Sequence, residues 1–222
     1  MLPGYKIGPH MIFSEPLHVV DDDDSMRDAI SAILVDAGYA VQTWASGTAF
    51  IGALSASTSG VVVLDVQMPG LNGLALINQL NQAKLNIQVI FISGHALPPD
   101  VIAAFHRGAA DFLLKPFNRL ALLEAVKKSA LVVSQNRLLK LNTQAAMAKF
   151  NTLTPREKEI FKSLASGMTI KGLTMQYQLA EITVKVHKAQ IMRKLEIDSF
   201  QDILRFSQSL PSELLNLSTA DA

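Results

Sequence analysis

Leu17-His18-Val19-Val20 is a short apolar run that ends in four aspartates, Asp21-Asp22-Asp23-Asp24. Two later runs also end in charge, because Val61-Val62-Val63-Leu64 leads to Asp65 and Asp111-Phe112-Leu113-Leu114 leads to Lys115. Charge beside a core is costly unless it is paired or binds something. If the runs are neighbouring parallel strands, their carboxyl ends meet in one crevice, where open α/β sheets bind ligands. Several carboxylates and one ammonium there suit a divalent cation and a phosphoryl group.

The first half of the chain alternates short apolar runs with amphipathic segments. The pattern predicts strands at 17–20, 39–44, 61–64, 88–92 and 111–114, and helices at 25–37, 47–56, 73–83, 99–107 and from 119 onward. Five β/α repeats indicate a parallel sheet covered by helices on both faces. We therefore predict an α/β, doubly wound, five-stranded parallel domain whose charged strand ends cluster at a switch point.

Composition limits the class of protein. The chain has 222 residues, of which 49% are hydrophobic, so one or two domains with real cores are expected. No apolar stretch reaches the roughly 18–20 residues that span a bilayer, so no membrane partner is expected. The absence of cysteine excludes disulfides and thiolate chemistry, and a cytoplasmic location fits. Prolines and charges interrupt residues 1–16, which we interpret as an extension rather than a signal peptide.

Charge is unevenly distributed along the chain. Residues 1–118 contain five basic and ten acidic side chains, residues 119–150 contain six and one, and residues 151–222 contain nine and eight. An acidic first half followed by a basic segment suggests different partners for the two halves.

Residues 119–150 contain neither proline nor glycine, and apolar residues recur at helical spacing. This pattern favours one long helix, and a break near Ser134-Gln135-Asn136 is the alternative. The expected organisation is an extension at 1–16, a first domain at 17–130, a helical linker at 131–150, a second domain at 151–215 and a tail at 216–222.

The last third of the chain reads as an all-α domain. Leu153-Thr154-Pro155-Arg156-Glu157 has the features of a helix start, with Thr154 as the cap, Pro155 in the first turn and Glu157 reaching back to complete a capping box. Further helices are expected at about 169–177, 181–195 and 199–209. Two short helices around a tight turn predict a helix-turn-helix.

Four motifs in the first half together resemble the receiver domain of bacterial response regulators. They are Val20-Asp21-Asp22, Asp65-Val66-Gln67-Met68-Pro69-Gly70, Phe91-Ile92-Ser93-Gly94-His95 and Lys115-Pro116-Phe117. The resemblance covers about residues 17–130. It implies that a sensor histidine kinase phosphorylates Asp65, since a carboxylate can accept a phosphoryl group as an acyl phosphate.

The resemblance also implies a role for each matching residue. Asp22 and Asp65 would bind Mg²⁺ directly and Asp21 through water, while the Gln67 backbone carbonyl supplies a further oxygen. Three other matching residues would respond to the phosphate. The ammonium of Lys115 would pair with it, and the hydroxyl of Ser93 would donate a hydrogen bond to it. The aromatic ring of Phe112 would turn inward. His95 is expected on a surface loop and Trp44 against a helix edge.

The second half resembles the LuxR/NarL/FixJ-type DNA-binding domain over about residues 152–210. The matching motifs are Leu-Thr-Pro-Arg-Glu at 153–157, Thr-Val-Lys-Val-His at 183–187 and Ile-Met-Arg-Lys-Leu at 191–195. The segment 183–194 has four basic residues and no acid, which fits DNA phosphates. The residues expected at DNA are Thr183, Lys185, Val186, His187, Lys188, Arg193 and Lys194. Of these, Lys185 and Val186 point toward base edges, whereas Val184, Ile191 and Leu195 pack inside.

The resemblance predicts a two-domain, non-enzymatic response regulator that binds promoter DNA and forms a homodimer on phosphorylation. Two rival interpretations remain open at the level of sequence. A phosphatase of the haloacid dehalogenase type needs an aspartate two residues after its nucleophile, and Gln67 occupies that place. A receiver could also serve as a protein-interaction module without phosphorylation, although the intact charged motifs disfavour this.

Overall fold

A computed structural model describes residues 15–95 and 97–215. The chain divides into two compact units whose boundary in the sequence lies between Arg137 and Leu138, inside the segment expected to be a linker. The predicted tail at 216–222 and all but the last two residues of the predicted extension lie outside the described residues. No helix among the described residues is long and apolar enough to cross a membrane.

The first unit is an α/β fold in which strands and helices alternate. Its elements are β1 (Leu17–Val20), α1 (Asp24–Asp36), β2 (Val41–Trp44), α2 (Gly47–Gly52), β3 (Ser59–Asp65), α3 (Gly73–Gln82), β4 (Asn86–Ser93), α4 (Pro98–His106) and β5 (Asp111–Leu114). The five strands are all parallel, in the order β2-β1-β3-β4-β5. The doubly wound sheet predicted from the sequence is confirmed.

The sheet has an apolar core on each face. Alternate residues of β1 show the division, because Val19 belongs to the cluster that contains Ile30 and Val126, whereas Val20 belongs to the cluster that contains Phe50 and Leu76. Strands buried on both faces explain the continuous apolar runs in the sequence. The buried strands hold their carboxyl ends in register, with Val20 beside Leu64 and Asp65 beside Ile92.

Local hydrogen bonds explain where several elements begin and end. The helix α1 begins at Asp24 because the side chain of Asp23 accepts hydrogen bonds from the backbone of Ser25 and Met26. At its other end Gly38 has φ +90°, and the Tyr39 N–H donates to Leu34 O at 3.1 Å, so the chain closes the helix before β2 starts. The strand expected at 39–44 therefore begins at Val41.

The helix α2 is shorter than the predicted 47–56, since it ends at Gly52. The Ser55 N–H donates to Thr58 Oγ1 at 2.8 Å, and the Ser55 hydroxyl lies 2.9 Å from that of Ser57. Serine and threonine side chains that bond to nearby backbone compete with helical hydrogen bonds. The run of small polar residues therefore forms a loop.

The basic segment is one helix, α5 (Arg119–Asn151), and the alternative of a break near Ser134 is not observed. The second unit continues with α6 (Pro155–Ala165), α7 (Ile170–Tyr177), α8 (Glu181–Leu195), α9 (Phe200–Gln208) and α10 (Ser212–Leu215). Its core includes Phe150, Phe161 and Leu173, together with the buried residues Val184, Ile191 and Leu195 of α8. The four-residue α10 has no counterpart in the sequence prediction.

Candidate functional site

Three carboxylates meet at the carboxyl edge of the sheet. Asp21 and Asp22 follow β1, and Asp65 is the last residue of β3, so the pairing of the two strands places them side by side. One oxygen from each residue lies within 4.8 Å of the others. Asp21 and Asp65 are buried, whereas Asp22 is exposed. This oxygen set fits the ligands that Mg²⁺ prefers, with an open side for water or a phosphoryl group.

Lys115 brings an ammonium to the same cluster from the end of β5. Its Nζ lies 2.9 Å from Asp21 Oδ2 and 3.4 Å from Asp65 Oδ1, and the side chain is only 18% exposed. Its backbone N–H donates to Ser93 O at 2.8 Å, which fixes the lysine beside the end of β4. The cluster therefore contains one cation that contacts two of its three carboxylates.

Burial and charge set the protonation of this cluster. Burial raises the pKa of Asp65 above its ordinary value, and the negative charge of Asp21 adds to the rise, while Lys115 opposes it. Burial alone would lower the pKa of Lys115, but its bond to Asp21 and the charges of Asp65 and Asp21 raise it overall. The lysine is therefore held as an ammonium, and a further cation at the carboxylates would relieve their mutual repulsion.

The residues expected to respond to phosphate lie around the cluster. Ser93 is fully buried at the end of β4, where its Oγ accepts from the His95 N–H at 3.3 Å. Phe112 is half-buried, and its ring centroid lies 6.1 Å from that of Phe91. Gln67 is exposed, and its Nε2 donates to the His95 carbonyl at 3.1 Å, which joins the loops after β3 and β4.

Trp44 and His18 form an aromatic cluster with Phe50 of α2. The Trp44 Nε1–H lies 3.4 Å from His18 Nδ1, and the Phe50 ring centroid lies 5.2 Å from the imidazole. The tryptophan packs against a helix as expected, whereas the sequence predicted no role for His18. Burial lowers the pKa of His18 to about 4, against a smaller opposing effect from the backbone of Ser59.

The second unit presents α8 with one buried and one exposed side. Val184, Ile191 and Leu195 are buried, as their spacing predicted. Among the residues expected at DNA, some are exposed (Lys185, Val186 and Arg193) and others are half-buried (Thr183, His187, Lys188 and Lys194). The half-buried residues lie on the flanks of the helix, where phosphate contacts are made in helix-turn-helix proteins.

Two of the four basic residues in 183–194 already have acidic partners from outside that segment. Lys185 Nζ lies 2.7 Å from Glu181 Oε1, and Lys194 Nζ lies 2.6 Å from Glu157 Oε2. The first pair is exposed, whereas Glu157 is only 2% exposed. Burial would raise the pKa of Glu157, but the bonds from Lys194 and Thr154 lower it overall. The charge available to DNA is therefore smaller than the sequence count of +4.

Ile182 is an exposed apolar residue for which the sequence predicted no role. Its side chain is 69% exposed at the start of α8, one helical turn before Val186. A single apolar residue just before the basic segment 183–194 gives no signal of its exposure in the sequence.

Comparison with known proteins matches both halves. The response regulator receiver domain family matches residues 17–127, and the family of bacterial regulatory proteins of the luxR type matches residues 151–207. Response regulator protein TodT of Pseudomonas putida is 32% identical over 89% of this chain and 87% of TodT. Transcriptional regulatory protein FixJ of Bradyrhizobium diazoefficiens is 31% identical over 86% of this chain and 93% of FixJ.

Two solved structures match most of the chain. The response regulator StyR covers 88% of this chain and 99% of its own, with a TM-score of 0.77 and 31% identity. Full-length FixJ from B. japonicum covers 89% and 97%, with a TM-score of 0.56 and 28% identity.

Proposed function

This chain belongs to the two-component response regulators that join a receiver domain to a LuxR-type DNA-binding domain, and we propose that phosphorylation of Asp65 controls its binding to promoter DNA. Members of this family are regulators of transcription rather than enzymes. The observation that carries the proposal is the meeting of Asp21, Asp22 and Asp65 within 4.8 Å at a sheet edge that also holds Lys115.

The cluster supports transfer of a phosphoryl group to Asp65 from the phosphohistidine of a sensor kinase. A carboxylate oxygen of Asp65 bonds to phosphorus while the phosphorus–nitrogen bond breaks, and the histidine imidazole leaves with the electron pair of that bond. Mg²⁺ held by Asp22, Asp65 and the Gln67 carbonyl, with Asp21 through water, would neutralise charge on the phosphoryl oxygens. Lys115 would pair with another of these oxygens.

Phosphate on Asp65 would place a new acceptor near the buried hydroxyl of Ser93. The hydroxyl moves toward the phosphate, and the half-buried Phe112 turns inward to fill the space. This change reaches α4 and β5, where Ile102, Phe105 and Leu114 are 57%, 49% and 55% exposed. Exposed apolar residues of this size favour association, so we propose this surface as the contact of a phosphorylation-dependent homodimer.

In the second unit, α8 would enter the major groove. Lys185 and Val186 face base edges, Thr183, His187, Lys188 and Lys194 contact phosphates on the flanks, and Arg193 lies on the exposed side. A dimer places two such helices on two half-sites, and each half-site adds to the affinity. Phosphorylation that favours the dimer therefore favours promoter binding. The size of this effect is set by how much more the phosphoryl group stabilises the dimer than the monomer.

The test is phosphorylation of the full chain by acetyl phosphate with Mg²⁺, followed by intact-mass measurement. The wild type should gain one acid-labile phosphoryl group, and Asp65→Asn should gain none.

Two neighbouring aspartates provide a matched control. Asp22→Asn should lose Mg²⁺-dependent labelling, whereas Asp23→Asn should keep it, because asparagine caps a helix as well as aspartate does. Equal labelling with a metal chelator would contradict the metal assignment. A wild type that gains no phosphoryl group would favour the alternative of a phosphorylation-independent interaction module.

A further inference from the structure

An exposed apolar strip runs along the outward side of α8. Ile182 is 69% exposed and Val186 is 48% exposed, although the same helix buries Val184, Ile191 and Leu195. Ala189 is also exposed. No packing role within the described part of the chain accounts for a helix that presents one of its two isoleucines to solvent while the other, Ile191, is buried.

The strip lies directly opposite the side of α8 that packs into the core. At roughly 100° per residue, Ile182, Val186 and Ala189 fall within about 60° of one another around the helix. The buried residues Val184 and Ile191 fall about 180° away, on the other side. The apolar strip is therefore the centre of the surface that α8 presents outward, and not its margin.

We propose that this strip reads the C5-methyl groups of thymine in the major groove, with Ile182 as a specificity-determining residue. This inference rests on the proposed DNA binding by α8. Thymine is the base that presents a methyl group in the major groove, and apolar side chains make favourable contacts with it. Facing the donor N4–H₂ of cytosine, an apolar side chain would displace water without replacing its hydrogen bond.

Charge on the same side of α8 favours DNA as the occupant of the strip. Lys185 borders it with a side chain that is 55% exposed, and Arg193 continues it toward the end of the helix. Basic residues flanking the strip match a groove lined by phosphates. An apolar protein partner would not gain from those charges.

The test starts with a DNA sequence that the phosphorylated full chain selects from a random pool. Each thymine of one half-site is then replaced by deoxyuridine, which lacks only the methyl group. Loss of one buried methyl, worth roughly 0.8 kcal/mol, should weaken the wild type about fourfold at the contacted position. Ile182→Ala should show almost no response to the same replacement.

Met175→Ala is the matched control, because Met175 is 71% exposed but lies on α7. This variant should keep the fourfold response. When a cytosine–guanine pair stands at the contacted position, 5-methylcytosine differs from cytosine by the methyl alone, so it should bind the wild type more tightly than cytosine does and bind Ile182→Ala equally.

The outcomes separate the two proposals. A wild type that selects a sequence but shows no deoxyuridine response above twofold overturns the methyl readout and leaves DNA binding standing. Retention of the response in Ile182→Ala overturns the role of this residue. A wild type that enriches no sequence from the pool overturns the proposed function, and the inference with it.

Discussion

Glu157→Gln removes one negative charge from the interior of the DNA-binding unit with little change of shape. Glu157 Oε2 accepts the Thr154 N–H at 2.7 Å and Lys194 Nζ at 2.6 Å, which joins the start of α6 to the end of α8. A glutamine carbonyl still accepts both bonds, but the bond from the Thr154 N–H becomes neutral, and the Lys194 ammonium loses its countercharge.

The magnitude follows from the change in bond type. Hydrogen bonds to charged groups contribute about 1.5–3 kcal/mol and neutral ones about 0.5–1.5 kcal/mol, so the bond from Thr154 loses about 1 kcal/mol. The Lys194 ammonium, left without its countercharge, loses about as much again, which gives about 2 kcal/mol in all. Lys194 is 29% exposed and recovers part of its hydration, which keeps the loss below that of a fully buried broken pair. Glu159→Gln is the matched control on the same helix, and its exposed pair with Arg156 should contribute less than about 0.5 kcal/mol.

Hydrogen exchange of the full chain, followed by mass spectrometry, measures the opening free energy of α6 and α8 separately from the receiver. The loss should be largest at neutral pH. Because the folded pKa of Glu157 lies below its ordinary value of 4.5, its contribution is present above that value and disappears as pH falls through the lowered one. If Glu157→Gln and Glu159→Gln change the opening free energy equally, the buried pair does not stabilise this unit.

Three further predictions concern the receiver. Gly60→Ala should destabilise the receiver by more than about 3 kcal/mol in urea unfolding, because the φ of Gly60 is +132° and an added Cβ would lie 2.1 Å from the Pro16 carbonyl oxygen. Gly52→Ala is the control and should be neutral or stabilising, because an added Cβ there has open space. Acid should destabilise the receiver by up to about 3 kcal/mol between pH 6.5 and 4, because the folded pKa of His18 is about 4; His18→Phe should remove this part of the acid sensitivity. Asp65→Asn should raise the melting temperature of the receiver at neutral pH. Burial raises the pKa of Asp65, so the ionised carboxylate destabilises the fold at that pH. A lower melting temperature of the variant would contradict this direction of the pKa shift.

The parallel sheet and the acidic cluster were predictable because both depend on repeating local signals. Each buried strand is a continuous apolar run, and parallel strands bring their carboxyl ends to one edge whatever the loops do. Asp21 and Asp65 could therefore be placed together from their positions after β1 and β3. The end of α2 was not predictable from periodicity, since the hydrogen bond between Ser55 and Thr58 competes with the helix.

The interface of α8 was only partly predictable. Burial of Val184 and Ile191 followed from helical spacing, but the partners of the basic residues did not. Lys194 bonds to Glu157, which lies 37 positions earlier in the sequence, so no local window could reveal that its charge is already paired. The assignment of individual residues to bases or phosphates remains a prediction.

Trp44 gives the molecule a built-in optical reporter. It is the single tryptophan of the chain and lies buried in the receiver against His18 and Phe50. Its emission therefore follows denaturation of the receiver alone, whereas far-ultraviolet circular dichroism also registers the helices α6 to α10. The separation between the two transition midpoints reports, without any label, how far the stabilities of the receiver and the DNA-binding unit differ, and its change on phosphorylation shows whether the phosphoryl group stabilises the two units unequally.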